Sequence, residues 1–398
     1  MLDIDLDNYD AIHEALLKKG VYQTLNTAAR VKKFKATGKI PRNDFLNYFL
    51  IHRFESAHYA TYHQRMKHID EAVIWTKYVL DTTSTIKSLP GCSGLQERVG
   101  EAVSLSVASS MFNLTTADWT VIPIQGGRKA QKTFDFERIM VGIGLANEII
   151  QVEAKGSFVS DNSQKPKKIL NHAASIQKKK TKIANSGTAY KHPAAARYGV
   201  IAAVDGTRTA KCWLLDPPPE PFEGEPSNGK IASRLEYVAS TIELIAPNAK
   251  LPTVIRDCAK QWGDFRRSEP VDPIGTPYTL HNYVERYLAN KKIWIEKMDI
   301  VGQLYVGTLG DVFFIGLVGA VVRDAIKQDA ATIAAARYET SVKRVTIEGS
   351  PVDITDGRKA DRLTISLDLH IDSGGTVIGV TPARRRQMAV AANARAAA

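Results

Sequence analysis

Asp135, Glu153 and Lys155 have the types and spacing to hold a divalent cation beside a phosphate and cleave a phosphodiester bond. Thr133–Met140 and Glu148–Ala154 read as strands, joined by a short segment containing Gly142 and Gly144. A hairpin centred near Gly144 sets Asp135 opposite Glu153, with Cβ atoms about 5 Å apart. Lys155, two residues on, points to the same face. The other face then carries Phe134, Phe136, Ile150, Val152 and Ala154, as a core-facing surface should. Two carboxylates this close repel unless a cation lies between them or one is protonated. Hard oxygen donors suit Mg²⁺ or Mn²⁺, which need only one or two protein carboxylates. Such an ion polarises a phosphate and acidifies a bound water. Lys155 would orient or help deprotonate that water, or stabilise the growing negative charge. Glu137, on the same face, is the next candidate ligand, and Asp118 a weaker one.

The elements around this trio follow from the pattern. Leu95 to Leu114 reads as one helix, with Val99, Val103, Leu105 and Val107 inward and Gln96, Glu97, Arg98 and Glu101 polar. Short β-like runs follow at Trp119–Ile124, Thr133–Met140 and Glu148–Ala154, then a helix from about Pro166 to Ile183. Tyr198–Val204 and Ala210–Leu215 flank Asp205-Gly206, a hairpin turn signal. Residues 1–90 have helical spacing and end at the breaker Leu89-Pro90-Gly91. Residues 230–335 return to mostly helical spacing, and 340–381 read as short strands with Gly-rich turns. The Arg- and Ala-rich tail, with Arg384-Arg385-Arg386, follows Pro382. The expected domains are a helical region over 1–90, a core over 91–222, a mostly helical region over 223–335 and a β-rich segment with a basic tail over 336–398.

The 398 residues carry a formal charge of +11, with 44% hydrophobic and 24% charged residues. That composition is globular, and the charge favours a polyanionic partner. Lys165, Lys167, Lys168, Lys178, Lys179, Lys180, Lys182 and Lys191 fall in a stretch with no Asp or Glu. Beside a carboxylate site they would bind a nucleic-acid backbone, against the plainer reading of a solvated face. Cys92, Cys212 and Cys258 are widely spaced and odd in number, which indicates neither a zinc site nor a disulfide framework. A reducing, cytoplasmic setting is expected. The acidic N-terminus does not read as a signal peptide, and the longest apolar run, Val312 to Val322, is about half the ~20 residues of a membrane helix. No membrane partner is expected. Gly126-Gly127-Arg128-Lys129 lacks the pattern of a phosphate loop, and no Gly-x-Ser-x-Gly elbow or dinucleotide fingerprint occurs.

The strings Thr133-Phe134-Asp135-Phe136 and Val152-Glu153-Ala154-Lys155-Gly156 resemble the Asp and (Asp/Glu)-x-Lys elements of the PD-(D/E)xK, or restriction endonuclease-like, nucleases. The helix–strand–strand–strand–helix–strand order over about residues 94–216 is similar to that superfamily's common core. The resemblance implies an α/β fold with a mixed central sheet flanked by helices, framed by a helical N-terminal and an α+β C-terminal region. It implies a metal-dependent nuclease, with DNA the favoured substrate and restriction or anti-phage defence the typical setting. Asp135 and Glu153 would bind the metal, with the Ala154 carbonyl a further ligand and Lys155 assisting the nucleophile. Glu101, on the preceding helix, matches an outer ligand of the family, against the reading of an ordinary surface charge. Gln177, on the following helix, matches a Gln found in some members, whereas His172, about 140° away on an ideal helix, reads as a surface or core histidine. Phe134 stands where the family's proline usually precedes the Asp. A homo-oligomer or partner subunit stays open. The rivals are an inactive nuclease-like core in a nucleic-acid-binding or assembly protein, and a phage or virus structural protein.

Overall fold

The computed structural model describes residues 2–51, 61–80, 93–122, 136–142, 145–185, 194, 196–205, 209–215, 228–263, 271–274, 292–295 and 298–382. The chain is mixed α/β and divides into two units. One comprises Met1–Tyr59, Tyr78–Ser233 and Trp262–Ser268; the other comprises Ala60–Lys77, Arg234–Gln261 and Glu269–Ala398.

In the first unit, β1 (Leu2–Asn8), β2 (Lys39–Ile40), β3 (Thr120–Val121), β4 (Phe136–Gly142), β5 (Leu145–Phe158), β6 (Ala196–Val204) and β7 (Thr209–Leu215) form a sheet of order β2-β1-β7-β6-β5-β4-β3. The sheet is mixed: β5 pairs β6 in parallel and β1 pairs β7 in parallel, while the other neighbours are antiparallel. The first strand corrects the expected division at residue 90. Leu2-Asp3-Ile4-Asp5-Leu6-Asp7 alternates with period two, burying Ile4 and Leu6. Its acidic face meets lysines, with Lys211 Nζ 2.8 Å from Asp5 and Lys35 Nζ 2.7 Å from Asp7. The N-terminal segment is thus part of the core sheet.

The helices of this unit are α1 (Ala11–Leu16), α2 (Val21–Thr24), α3 (Thr27–Thr37), α4 (Arg42–Leu50), part of α5 (Tyr62–Leu80), α6 (Ser93–Phe112) and α7 (Lys167–Ala184). α6 lies on one face of β5 and packs against α3 and α4 on its other side. Every residue from 98 to 109 is therefore buried. The expected polar face holds only in part: Glu97 is exposed and Gln96 half-buried, but Glu101 is buried and so is Arg98, which donates to the Phe49 carbonyl at 3.2 Å. α7 covers the opposite face, with Ile169, Ala173 and Ile176 clustered against Ile201, Ala203, Trp213 and Leu215.

The second unit holds a sheet made from β8 (Lys292–Ile295), β9 (Met298–Val306), β10 (Val312–Val318), β11 (Ser341–Gly349), β12 (Val352–Asp353), β13 (Leu363–Ile371) and β14 (Thr376–Val380). Its order is β11-β13-β14-β10-β9-β12, with β8 also on β9. Helices α8 (Gly229–Ile245), α9 (Leu251–Gly263), α10 (Gly319–Lys327) and α11 (Ala330–Ala335), with a short 3-10 helix at Thr116–Asp118 in the first unit, complete the described elements. The expected strands near the C-terminus are present, but the mostly helical reading of 223–335 fails over β8, β9 and β10. The apolar run 312–322 is strand up to Val318 and helix from Gly319. Its first half is β-branched and aromatic and lies between β9 and β14, where a continuous apolar strand belongs. Among the described residues no helix is long and apolar enough to cross a membrane.

Candidate active site

β5 sits between β4 and β6, and its pairings set the site. The β4–β5 ladder runs from Met140↔Glu148 to Phe136↔Val152, the register of a hairpin centred on residue 144. Asp135 lies outside the described residues. In that register Glu137 pairs with Gln151. Ile150, Val152 and Ala154 are buried on the α6 face, as the alternation requires. Gly156 completes that face: a Cβ there would stand 1.9 Å from the Gln96 carbonyl oxygen and 2.8 Å from Gly100 Cα. Glycine at both positions lets α6 approach the strand backbone directly.

The odd-numbered face of β5 presents Glu153, Lys155 and Ser157 to α7. Glu153 is wholly buried, at 0% exposure. Lys155 Nζ lies 2.6 Å from its Oε1, and Lys179 Nζ contacts its Oε2. A carboxylate without water needs such partners, since desolvation of an isolated charge is prohibitive. Both lysines keep a share of their side chains exposed, 25% for Lys155 and 17% for Lys179.

The lysines of the 165–182 stretch divide by helix phase. Lys167, Lys168, Lys178 and Lys182 are exposed, as a backbone-binding role requires. Lys180 is buried in the inner stripe with Ile169, Ala173, Ile176 and Ile183, which removes it from a substrate-facing surface. Lys165 donates to the Tyr9 carbonyl and lies 4.6 Å over the Tyr9 ring, and Lys168 donates to Gln96 Oε1 at 2.5 Å. Lys179 belongs with Glu153 rather than with the exposed set.

Gln177 and His172 lie on different flanks of α7. Gln177 lies about 160° from Lys179 on an ideal helix, and its amide donates to His13 Nε2 at 2.8 Å. His13 Nδ1–H in turn donates to Asp10 at 2.6 Å. Gln177 thus ties α7 to α1, on the flank away from Glu153. His172 is seven residues before Lys179 and shares its stripe, with Nε2 2.9 Å from Ser157 Oγ. The spacing Lys168, His172, Ser175, Lys179, Lys182 was the signal that would have found it.

Burial, followed by the charges of Lys155 and Lys168, holds the His172 imidazole below its ordinary pKa. The folded chain therefore binds this proton less readily than the unfolded chain. The stabilising contribution is present above about pH 6.5 and is lost as pH falls through that value towards the folded pKa. We expect the His172 Cε1 proton resonance to titrate with a midpoint below 6.5, and Lys155→Met to move that midpoint upward. A midpoint at or above 6.5 in wild type would contradict this environment.

No family model matches the chain, and no curated protein or solved structure does either.

The remaining candidates are placed as follows. Glu101 is buried on α6, one residue beyond the Gly100–Gly156 contact, which removes the reading of a surface charge. Asp118 accepts from Thr115 N at 2.9 Å and Thr115 Oγ1 at 3.1 Å, so it closes a helix cap instead of offering a ligand. Among the described residues no group of three or more His, Cys, Asp or Glu stands ready for a metal ion. Glu153 is nonetheless a donor of the right kind, a hard carboxylate against which two positive charges already rest.

Proposed function

We propose that the chain is a metal-dependent nuclease that hydrolyses phosphodiester bonds, with DNA as substrate, through a core of the PD-(D/E)xK kind. The observation that carries the reading is the wholly buried Glu153, followed at two residues by Lys155 on the same face of an inner strand. The order α6, β3, β4, β5, α7, β6, with helices on opposite faces of β5, supports it. The reading requires a second carboxylate, for which the sequence offers Asp135, a residue outside the described ones.

When bound, Mg²⁺ or Mn²⁺ would supply Lewis-acid activation of the phosphate and an acidified water. Glu153 and Asp135 would hold it; Glu101, on α6 against the other face of β5, is not placed beside them. Lys155 orients the attacking water and offsets charge on the phosphate. The exposed Lys167, Lys168, Lys178 and Lys182 steer the backbone, which makes binding weaken with salt.

The experiment is cleavage of plasmid, single-stranded DNA and RNA with Mg²⁺, Mn²⁺ or a chelator. We expect metal-dependent cutting that Lys155→Ala lowers by about 100-fold or more. Cutting that survives the chelator or is indifferent to Lys155→Ala would overturn the assignment.

A second reading is favoured by one observation: both oxygens of Glu153 already have lysine partners, so no cation is required to neutralise it. The core would then bind nucleic acid without cutting. Salt-sensitive DNA binding with no hydrolysis under any metal would support it.

A further inference from the structure

We infer that β11 is the contact surface for a second copy of this chain, its edge pairing antiparallel with the same strand of the other copy about a two-fold axis at Thr346. β11 stands first in the order of the second sheet, so among the described strands it pairs only with β13. Ser341 to Gly349 keep one unbroken register with β13, and the strand contains no proline. A regular edge of nine residues, without bulge or proline, is a template for another strand. Its two faces differ. Val342, Arg344, Thr346 and Glu348 are exposed on one, while Val345 is half-buried and Ile347 buried on the other. Val342 is a large apolar side chain left 50% exposed.

Charge selects both the partner and the register. On the exposed face Arg344 Nε lies 2.7 Å from Asp368 Oδ1, and Arg362 Nη2 lies 3.0 Å from Glu348 Oε2. With the axis at Thr346, Arg344 of each copy falls opposite Glu348 of the other. Directly opposed residues have Cβ atoms about 5 Å apart, close enough for opposite charges to attract. The charges then alternate across the junction: Asp368 and Arg344 from one copy, Glu348 and Arg362 from the other. On the opposite face the same register sets Val345 against Ile347 twice over. Lys343 meets Gly349, which has no side chain to crowd it. An axis at Arg344 would instead oppose arginine to arginine. An axis at Val345 would oppose Lys343 to Ile347 and Val342 to Glu348. The pairing is isologous and closed, so assembly through this edge stops at two copies.

The full chain is followed by sedimentation velocity over a series of protein concentrations, wild type beside Thr346→Lys, with folding checked by circular dichroism. We expect a concentration-dependent dimer in wild type. Thr346→Lys should raise its dissociation constant by about tenfold or more, because two ammonium groups then face each other at the axis. Thr346→Cys should form a disulfide-linked dimer on mild oxidation. Val342→Cys should not, since its two copies lie about 27 Å apart in this register. Wild type, oxidised in the same way, gives the background from Cys92, Cys212 and Cys258. A wild type that stays monomeric, a dimer indifferent to Thr346→Lys, or cross-linking at residue 342 in place of 346 would overturn the inference.

Discussion

Glu153→Gln is expected to lower metal-dependent DNA cleavage by at least about 100-fold and to destabilise the first unit at the same time. The substitution keeps the shape of a side chain with 0% exposure and removes only its charge. On the functional side, the neutral amide is a poor ligand for Mg²⁺ and no longer anchors Lys155, whose Nζ lies 2.6 Å from the carboxylate. On the structural side, two ammonium groups lose their anionic partner together. Removing one member of a fully buried pair typically costs about 3–5 kcal/mol. Here Lys155 and Lys179 retain 25% and 17% exposure and can turn towards water, which reduces the cost to about 1–3 kcal/mol. The two effects are separated by measuring cleavage at a temperature where urea titration shows the variant folded. Wild-type cleavage by a folded Glu153→Gln protein would remove Glu153 from the site.

How far the sequence discloses this arrangement depends on the range of each signal. The β4–β5 register was legible because both strands alternate with period two around a glycine-containing turn, all within about twenty residues. β14 was legible to its end residues, Thr376 and Val380, because Gly and Pro bound it. β1 was not. Its partner β7 is some two hundred residues away, so nothing local distinguishes Asp3-Ile4-Asp5-Leu6-Asp7 from an acidic tail. Lys178, Lys179 and Lys180 are identical in type and adjacent in sequence, yet one faces water, one faces Glu153 and one is buried. Only the phase of α7, stepping about 100° per residue, separates them. The placement of Gln177 against His13 was hidden for the same reason: a motif match ignores which flank of the helix carries the residue. Arg98 and Glu101 were read as an outward face because polarity marks the exposed side of a helix covered on one side only. α6 is covered by the sheet on one side and by α3 and α4 on the other, and a single helix sequence does not reveal how many neighbours surround it.

Gly156→Ala should be the most destabilising conservative substitution in the neighbourhood of the site, at about 3 kcal/mol or more. The added methyl would stand 1.9 Å from the Gln96 carbonyl oxygen and 2.8 Å from Gly100 N and Cα. These are backbone atoms, so no rotamer change relieves the overlap. Relief requires α6 to move off β5 or β5 to bend. α6 is buried from residue 98 to residue 109, and its far side is held to α4 by Arg98 on the Phe49 carbonyl and by Tyr48 on Ser109. A shift therefore disturbs a second layer of packing as well. Ordinary overpacking costs about 1–3 kcal/mol where side chains give way; backbone on both sides of the contact puts this case at or above that range. Function should suffer beyond stability, because Gly156 is bonded to Lys155, and displacement of a catalytic group by about 1 Å can cost on the order of 100-fold in rate. Gly357→Ala is the control: its φ of +73° gives a strain of about 1 kcal/mol, but nothing lies within 4 Å of the added methyl. Urea denaturation should rank the two variants in that order, with Gly100→Ala close to Gly156→Ala because its Cβ would meet Gly156 Cα and N at 2.4 Å. If Gly156→Ala proved as stable as wild type, α6 would have to lie farther from β5, and Glu101 with it.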